Sequence, residues 1–205
     1  MEEDAGVGSI EIREEQPSAL DAYARVPIAF EVASRLVMKE VPALGGLSMS
    51  EEIVTPPWIK DYDVDSFGPM VWPAHFDLST WGIFTAWTNG EHVGGAAVAW
   101  GSTDVAMLEG RTDLADLWDL RVHPDSRSRG VGTALFRAAE LWSQARGARL
   151  LKVETQSINV PACRFYSRVG CTLGGINRFA YPSFPDETQL IWYKQLSQSA
   201  SRADA

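Results

Sequence analysis

Apolar positions along the chain change their spacing several times, and each change marks an element. Between Gly8 and Glu14 a weak alternation through Ile10 and Ile12 predicts a first strand. From Ala19 to Val41 apolar residues return at helical spacing: Leu20, Tyr23 and Ala24, then Phe30, Ala33, Leu36 and Val37. That spacing predicts one or two helices, broken at Pro27 and Pro42. Thr55 to Thr80 is rich in proline and aromatic residues, with Pro56, Pro57, Trp58, Tyr62, Phe67, Pro69, Trp72 and Pro73. It is too apolar for a linker and too irregular for a helix, so an ordered loop region that lines or covers something is expected.

Trp81 to Thr88 and His92 to Trp100 are apolar runs on either side of Asn89-Gly90, a strong short-range hairpin signal. A connection over 101–115 leads to a strand from Asp116 to Val122. Gly130 to Ala148 predicts an amphipathic helix with Val131, Ala134, Leu135, Ala138, Leu141, Trp142 and Ala145 on its apolar stripe. Leu150 to Thr155 reads as an apolar strand, and Val160 to Arg168 as a short helix with Pro161 in its first turn. Cys171 to Ala180 and Thr188 to Lys194 complete the pattern as strands. This order predicts a mixed α/β domain of the α+β type over 1–196, with a flexible tail over 197–205.

At 205 residues the chain can bury a core without covalent staples. Its two cysteines, Cys163 and Cys171, predict reduced thiols rather than a disulfide framework, and with it a cytoplasmic location. Three histidines and no CxxC spacing leave little to build a metal site, and none is expected. No apolar run approaches the roughly 18 residues that span a bilayer, so no membrane partner is expected. The acidic start, Met1-Glu2-Glu3-Asp4, is the opposite of a secretory signal. A net charge of −9 argues against nucleic-acid binding and suits a cationic partner.

The most informative stretch runs Leu120-Arg121-Val122-His123-Pro124-Asp125-Ser126-Arg127-Ser128-Arg129-Gly130-Val131-Gly132-Thr133. A strand ends at Val122, a polar turn follows, and the long helix opens near Gly130. The two glycines let backbone approach a bulky anion, and the amides of a first helical turn point at it. Arg127 and Arg129 add charge-assisted bonds suited to phosphate. The stretch is not a P-loop, because no Gly-Lys-Ser/Thr follows, nor a Rossmann fingerprint, which needs a third glycine.

Arg127-Ser128-Arg129-Gly130-Val131-Gly132 resembles the Arg/Gln-x-x-Gly-x-Gly/Ala motif of the GNAT acetyltransferase superfamily. Upstream Asp119 to Pro124, and downstream Asn159-Val160-Pro161-Ala162-Cys163-Arg164-Phe165-Tyr166 with Gly170, extend the likeness over roughly 115–195. Within the superfamily, Glu154-Thr155-Gln156, Asn159 to Cys163, Thr172 to Ile176 and Phe179-Ala180-Tyr181 are similar to streptothricin acetyltransferases. The resemblance implies the GNAT fold, a twisted mixed sheet of about six to seven strands with helices on both faces. It implies acetyl-CoA as co-substrate, and its residues carry over by position. The amides of Arg129, Gly130, Val131, Gly132 and Thr133 would cradle the pyrophosphate, with Arg127 beside them. The strand at Leu120, Arg121 and Val122 would hold the pantetheine arm and direct the acetyl carbonyl. Asn159 and Ala162 would contact pantetheine, and Tyr166 would protonate the departing thiolate.

Acetyl transfer to an amine needs positioning, a base for the amine and an acid for the thiolate. A phenol ionises near about 10 and a thiol near about 8.5, close enough for Tyr166 to share its proton with sulfur. The alternative for Tyr166 is a helix tyrosine packed on the sheet. The base stays open: where many relatives carry a strand carboxylate this chain has Trp118, leaving Asp119, Asp116, Glu109 and Glu154 as candidates. Asp119 is expected to recognise the cationic amine and direct its deprotonation, or else to be a structural strand aspartate. Trp118, Asp119, Glu109 and Glu154 make up the expected substrate-binding set, with Trp58, Trp72 and Trp100 either in the core or near it. The expected acceptor is a small cationic amine, possibilities including streptothricin-like antibiotics. The alternatives are a protein N-terminus or lysine, and a non-catalytic acyl-CoA-binding module. The resemblance also leaves room for a homodimer.

Overall fold

Asn89 and Gly90 both take positive φ, 52° and 80°, and close the expected hairpin between β4 (Gly82–Thr88) and β5 (Glu91–Trp100). The computed structural model describes residues 9–43, 45–65 and 68–197; the acidic start, Phe67 and the tail beyond residue 197 lie outside them. Two units divide the chain. The first holds the residues up to Ile28, then Tyr62–Leu151 and those from Gln195 onward; the second holds Ala29–Asp61 and Lys152–Lys194.

In the first unit β1 (Glu11–Glu15), β4, β5 and β6 (Leu114–Val122) lie in that order, each antiparallel to its neighbour. Successive strand residues face opposite sides, and the glycine pair in β5 shows what covers each. A Cβ on Gly94 would stand 3.0 Å from Leu135 and 3.1 Å from Val131 of α4 (Val131–Ala145). One on Gly95 would meet the Tyr23 ring of α1 (Leu20–Ala24) at 2.3 Å. Helices therefore cover both faces of these strands. The segment that leads into β4 folds into short pieces: α2 (Tyr62–Asp65), a 3-10 turn Pro69–Val71, α3 (Trp72–His75) and a 3-10 turn Leu78–Thr80.

The apolar stripe of α4 is narrower than its pattern suggests. Val131, Leu135, Phe136, Ala139, Trp142 and Ser143 are buried, whereas Leu141 is 54% exposed. The helix ends at Ala145, short of Ala148, because Gly147 turns left-handed at φ 86°.

The second unit contains the largest departure from expectation. Phe30–Val41 is not helical: it is the 12-residue strand β2, paired from Phe30↔Lys60 to Val41↔Gly46 with the 15-residue β3 (Gly46–Lys60). The apolar positions 30, 33, 36 and 37 fit a helix, but burial alternates, with Phe30 and Val32 inside and Glu31 and Ala33 outside. A long-range partner overrides the local period here. Thr55–Lys60, expected as loop, is the end of β3. Its Pro56 and Pro57 fall where the register shifts and ladder pairing lapses between Ile53 and Trp58, so no backbone N–H is needed there. The unit also holds α5 (Val160–Arg168), with the predicted bounds, and most of β7 (Leu150–Gln156) and β9 (Gln189–Gln195). β8 (Thr172–Asn177) pairs antiparallel with β9 and ends three residues before the expected Ala180. Among the described residues, seven main-sheet strands with helices make the fold mixed α/β, as the element order predicts. Among the described residues no helix is long and apolar enough to cross a membrane.

Candidate active site

Strand β6 carries a bulge where chemistry is expected. Ala97 opposes Asp119 and Val98 opposes Leu117, so Trp118 is the extra residue. The half-buried Trp118 packs edge-on to Phe76 at 4.9 Å and against Trp81 at 5.6 Å. Asp119 and Arg121 are nearly inaccessible, and they bind each other. Arg121 donates to both Asp119 oxygens (2.9 and 2.7 Å), to both Asp63 oxygens (2.8 and 3.0 Å) and to the Val26 carbonyl (3.1 Å). Tyr23 donates its hydroxyl to Asp119 at 2.6 Å. Burial pulls the Arg121 guanidinium down, but the charge of Asp119 and the bonds to Asp119 and Asp63 outweigh it, and the group stays cationic. Burial, then the charge of Asp119, pushes the Tyr23 phenol well up, so it remains a neutral donor.

Beyond β6 the chain turns through a 3-10 piece, Pro124–Ser126, with the Arg127 Nε donating to the Val122 carbonyl at 3.1 Å. Ser128 (φ 61°) and Gly130 (φ 88°) are both left-handed, which makes the turn tight and points successive amides to one side. Gly130 is the N-cap of α4 and supplies no side-chain cap. The first intrahelical bond is Ala134 N–H to the Gly130 carbonyl at 3.0 Å. The amides of Val131, Gly132 and Thr133 therefore have no intrahelical acceptor. With Arg127 and Arg129 exposed beside them, the turn is chemically suited to a pyrophosphate.

In the second unit Asn159 caps α5, accepting from the Ala162 amide at 3.2 Å. That bond occupies the Ala162 N–H, so a ligand contact there falls to the Asn159 side-chain nitrogen. Tyr166 lies on the same helix, 5% exposed, edge-on to Phe165 at 5.2 Å. Glu154 on β7 accepts from Tyr181 Oη at 2.5 Å, Gln189 Nε2 at 2.7 Å and Gln156 Nε2 at 3.5 Å. All three donors are neutral. Cys163 sits 3.5 Å from Thr155 Oγ1, and burial pushes its thiol up, away from nucleophilic thiolate chemistry.

Residues 49–171 match the acetyltransferase (GNAT) family. The chain belongs to that family. Streptothricin acetyltransferase A of Bacillus subtilis is 27% identical over 75% of this chain and 83% of its own. Streptothricin acetyltransferase of Streptomyces lavendulae is 24% identical over 91% and 94%. That of Escherichia coli is 39% identical, but over only 40% of this chain and 48% of its own length. Among solved structures, nourseothricin acetyltransferase superposes with TM-score 0.73 at 23% identity, covering 92% of this chain and 99% of that one. A streptothricin acetyltransferase from Bacillus anthracis, solved with acetyl coenzyme A, gives 0.70 at 24%, covering 94% and 100%. These last two establish the GNAT fold.

This GNAT protein is an acetyl-CoA-dependent N-acetyltransferase. The structure gathers Arg127 to Thr133 into one turn and Asn159, Ala162 and Tyr166 onto one helix. On β6 the Arg121 side chain faces inward and is 1% exposed, leaving its backbone for a cofactor, while the Asp119 carboxylate accepts from Arg121 and Tyr23. Trp72 is a core residue, 1% exposed. Trp100 donates to the Thr112 carbonyl at 3.2 Å, and Trp58, 42% exposed, belongs to the second unit. Glu109 is exposed at the left-handed end (φ 55°) of the 3-10 turn Ala106–Leu108. Tyr23 and Asp63 are not read as site residues from the sequence, and Tyr181 enters there only through the resemblance, with no role assigned. Only an inward arginine on a strand signals that such partners exist, and it does not name them.

Proposed function

We propose that this chain acetylates a primary amine on a small cationic molecule of the streptothricin kind, by direct attack on acetyl-CoA. The observation that carries the reading is the likeness to streptothricin acetyltransferases over 91% of the chain, well beyond the cofactor motif. The amides of Arg129 to Thr133, with Arg127, bind the pyrophosphate; the backbone of Leu120, Arg121 and Val122 binds pantetheine and polarises the thioester carbonyl; the Asn159 side chain, held by the Ala162 amide, assists. The amine nitrogen attacks the carbonyl carbon, and the C–S bond breaks as the amide forms. Tyr166 gives its proton to the departing thiolate.

For the amine's proton we favour Glu154 over Asp119. Asp119 is bound by a guanidinium and a phenol, whereas the bonds to Glu154 come from the uncharged Tyr181, Gln189 and Gln156 side chains. Trp118 and Phe76 supply an aromatic surface suited to a cation. Glu109 is reserved for the rim of the acceptor site.

Thiol release from acetyl-CoA, followed with streptothricin, aminoglycosides, polyamines and peptides in turn, tests the reading. Saturable turnover on a small cation is the expected result. Turnover confined to peptides would replace it with a protein acceptor. Acetyl-CoA binding without turnover on any amine would point to a non-catalytic acyl-CoA module.

A further inference from the structure

A closed circuit of contacts in the first unit begins and ends on β6. It starts at Asp119 and Arg121. Arg121 reaches Asp63 of α2 through a two-pronged ion pair, and its guanidinium lies 5.2 Å from the Tyr23 ring centroid, whose hydroxyl is fixed by Asp119. Tyr23 meets Trp72 edge-on at 5.8 Å, and Trp72 meets Trp81 at 5.9 Å. Trp81 packs on Phe76 at 5.5 Å, and both close on Trp118, the bulge residue next to Asp119.

The chemistry of this circuit is unevenly distributed. The Arg121 side chain is 1% exposed, and a buried guanidinium needs its partners, because removing one leaves an uncompensated charge. The Asp63 side chain is 29% exposed and sits on a four-residue helix that has little structure of its own to hold it. The pair thus ties this short helix to β6, while Trp72 lies in the core.

We propose that Asp63 and Arg121 are positioning residues that determine acceptor specificity: by clamping the segment that carries Trp72, Phe76 and Trp81 onto β6, they set the aromatic surface at Trp118. Asp63 touches neither acceptor nor cofactor, and Arg121 acts in the clamp through its buried side chain alone. The inference rests on the proposed acceptor chemistry for its kinetic consequence, but the clamp itself is tested without any acceptor.

Asp63→Asn keeps the shape and removes the charge. In the full chain, hydrogen–deuterium exchange should show residues 68–81 exchanging about tenfold faster or more, with the amides of α4 unchanged. On the best acceptor found, KM for the amine should rise about tenfold with KM for acetyl-CoA within twofold, and Asp63→Glu should recover much of the loss. Unchanged exchange over 68–81 would overturn the clamp, whatever the acceptor. Faster exchange with an unchanged amine KM would overturn its role in specificity. A uniform rise in exchange across the unit would make the pair a purely structural one and also overturn the proposal. If the wild type acetylates no amine, the proposed function fails, while exchange still decides the clamp.

Discussion

Tyr166→Phe should lower kcat by about 10²–10³-fold while leaving the KM for acetyl-CoA within a few-fold, the usual scale for loss of a positioned proton donor. The side chain is 5% exposed on α5, and phenylalanine fills the same space. The loss of one hydroxyl should change stability by only about 0.5–1.5 kcal/mol. Steady-state kinetics together with a thermal melt separate the two effects. A kcat within threefold of wild type would remove Tyr166 from the chemistry and leave it as packing.

Glu154→Gln should lower kcat by about 10²-fold on the amine acceptor. The amide cannot take a proton at neutral pH or hold an ammonium by charge, yet its oxygen can still accept from Tyr181, which holds Glu154 at 2.5 Å. The same change at Asp119 should act differently. There the carboxylate balances the buried Arg121, so Asp119→Asn should lower the melting temperature more than it lowers turnover in the folded protein. Urea titrations alongside kinetics on both variants distinguish base from buttress. A folded Asp119→Asn enzyme with a hundredfold lower kcat, beside a near-normal Glu154→Gln, would reverse the assignment.

Features coded by short stretches of chain were legible in the sequence. Asn89-Gly90 specifies its hairpin through two positive φ angles, Arg127 to Thr133 specifies the tight turn into α4 through Gly130, and Asn159 and Pro161 mark the start of α5. Features made by distant partners were not. β2 looked helical until β3 paired with it, since apolar residues at 30, 33, 36 and 37 satisfy either reading. The partners of Asp119 and Arg121 lie 96 and 58 positions away, in Tyr23 and Asp63. No local pattern distinguishes an aspartate that waits for a substrate from one that neutralises a buried arginine. The bulge at Trp118 was equally hidden, because a strand's sequence does not reveal which of its residues its neighbour skips.

The central claim is amide formation on a small cationic amine, and the acetylated product is its most direct test. The protein would be incubated with acetyl-CoA and an equimolar mixture of streptothricin and a peptide bearing a free N-terminus and lysines, and the products resolved by mass spectrometry. A single acetyl group on streptothricin, formed in step with free CoA, and an unmodified peptide are the expected result. Acetylated peptide beside unmodified streptothricin would contradict it.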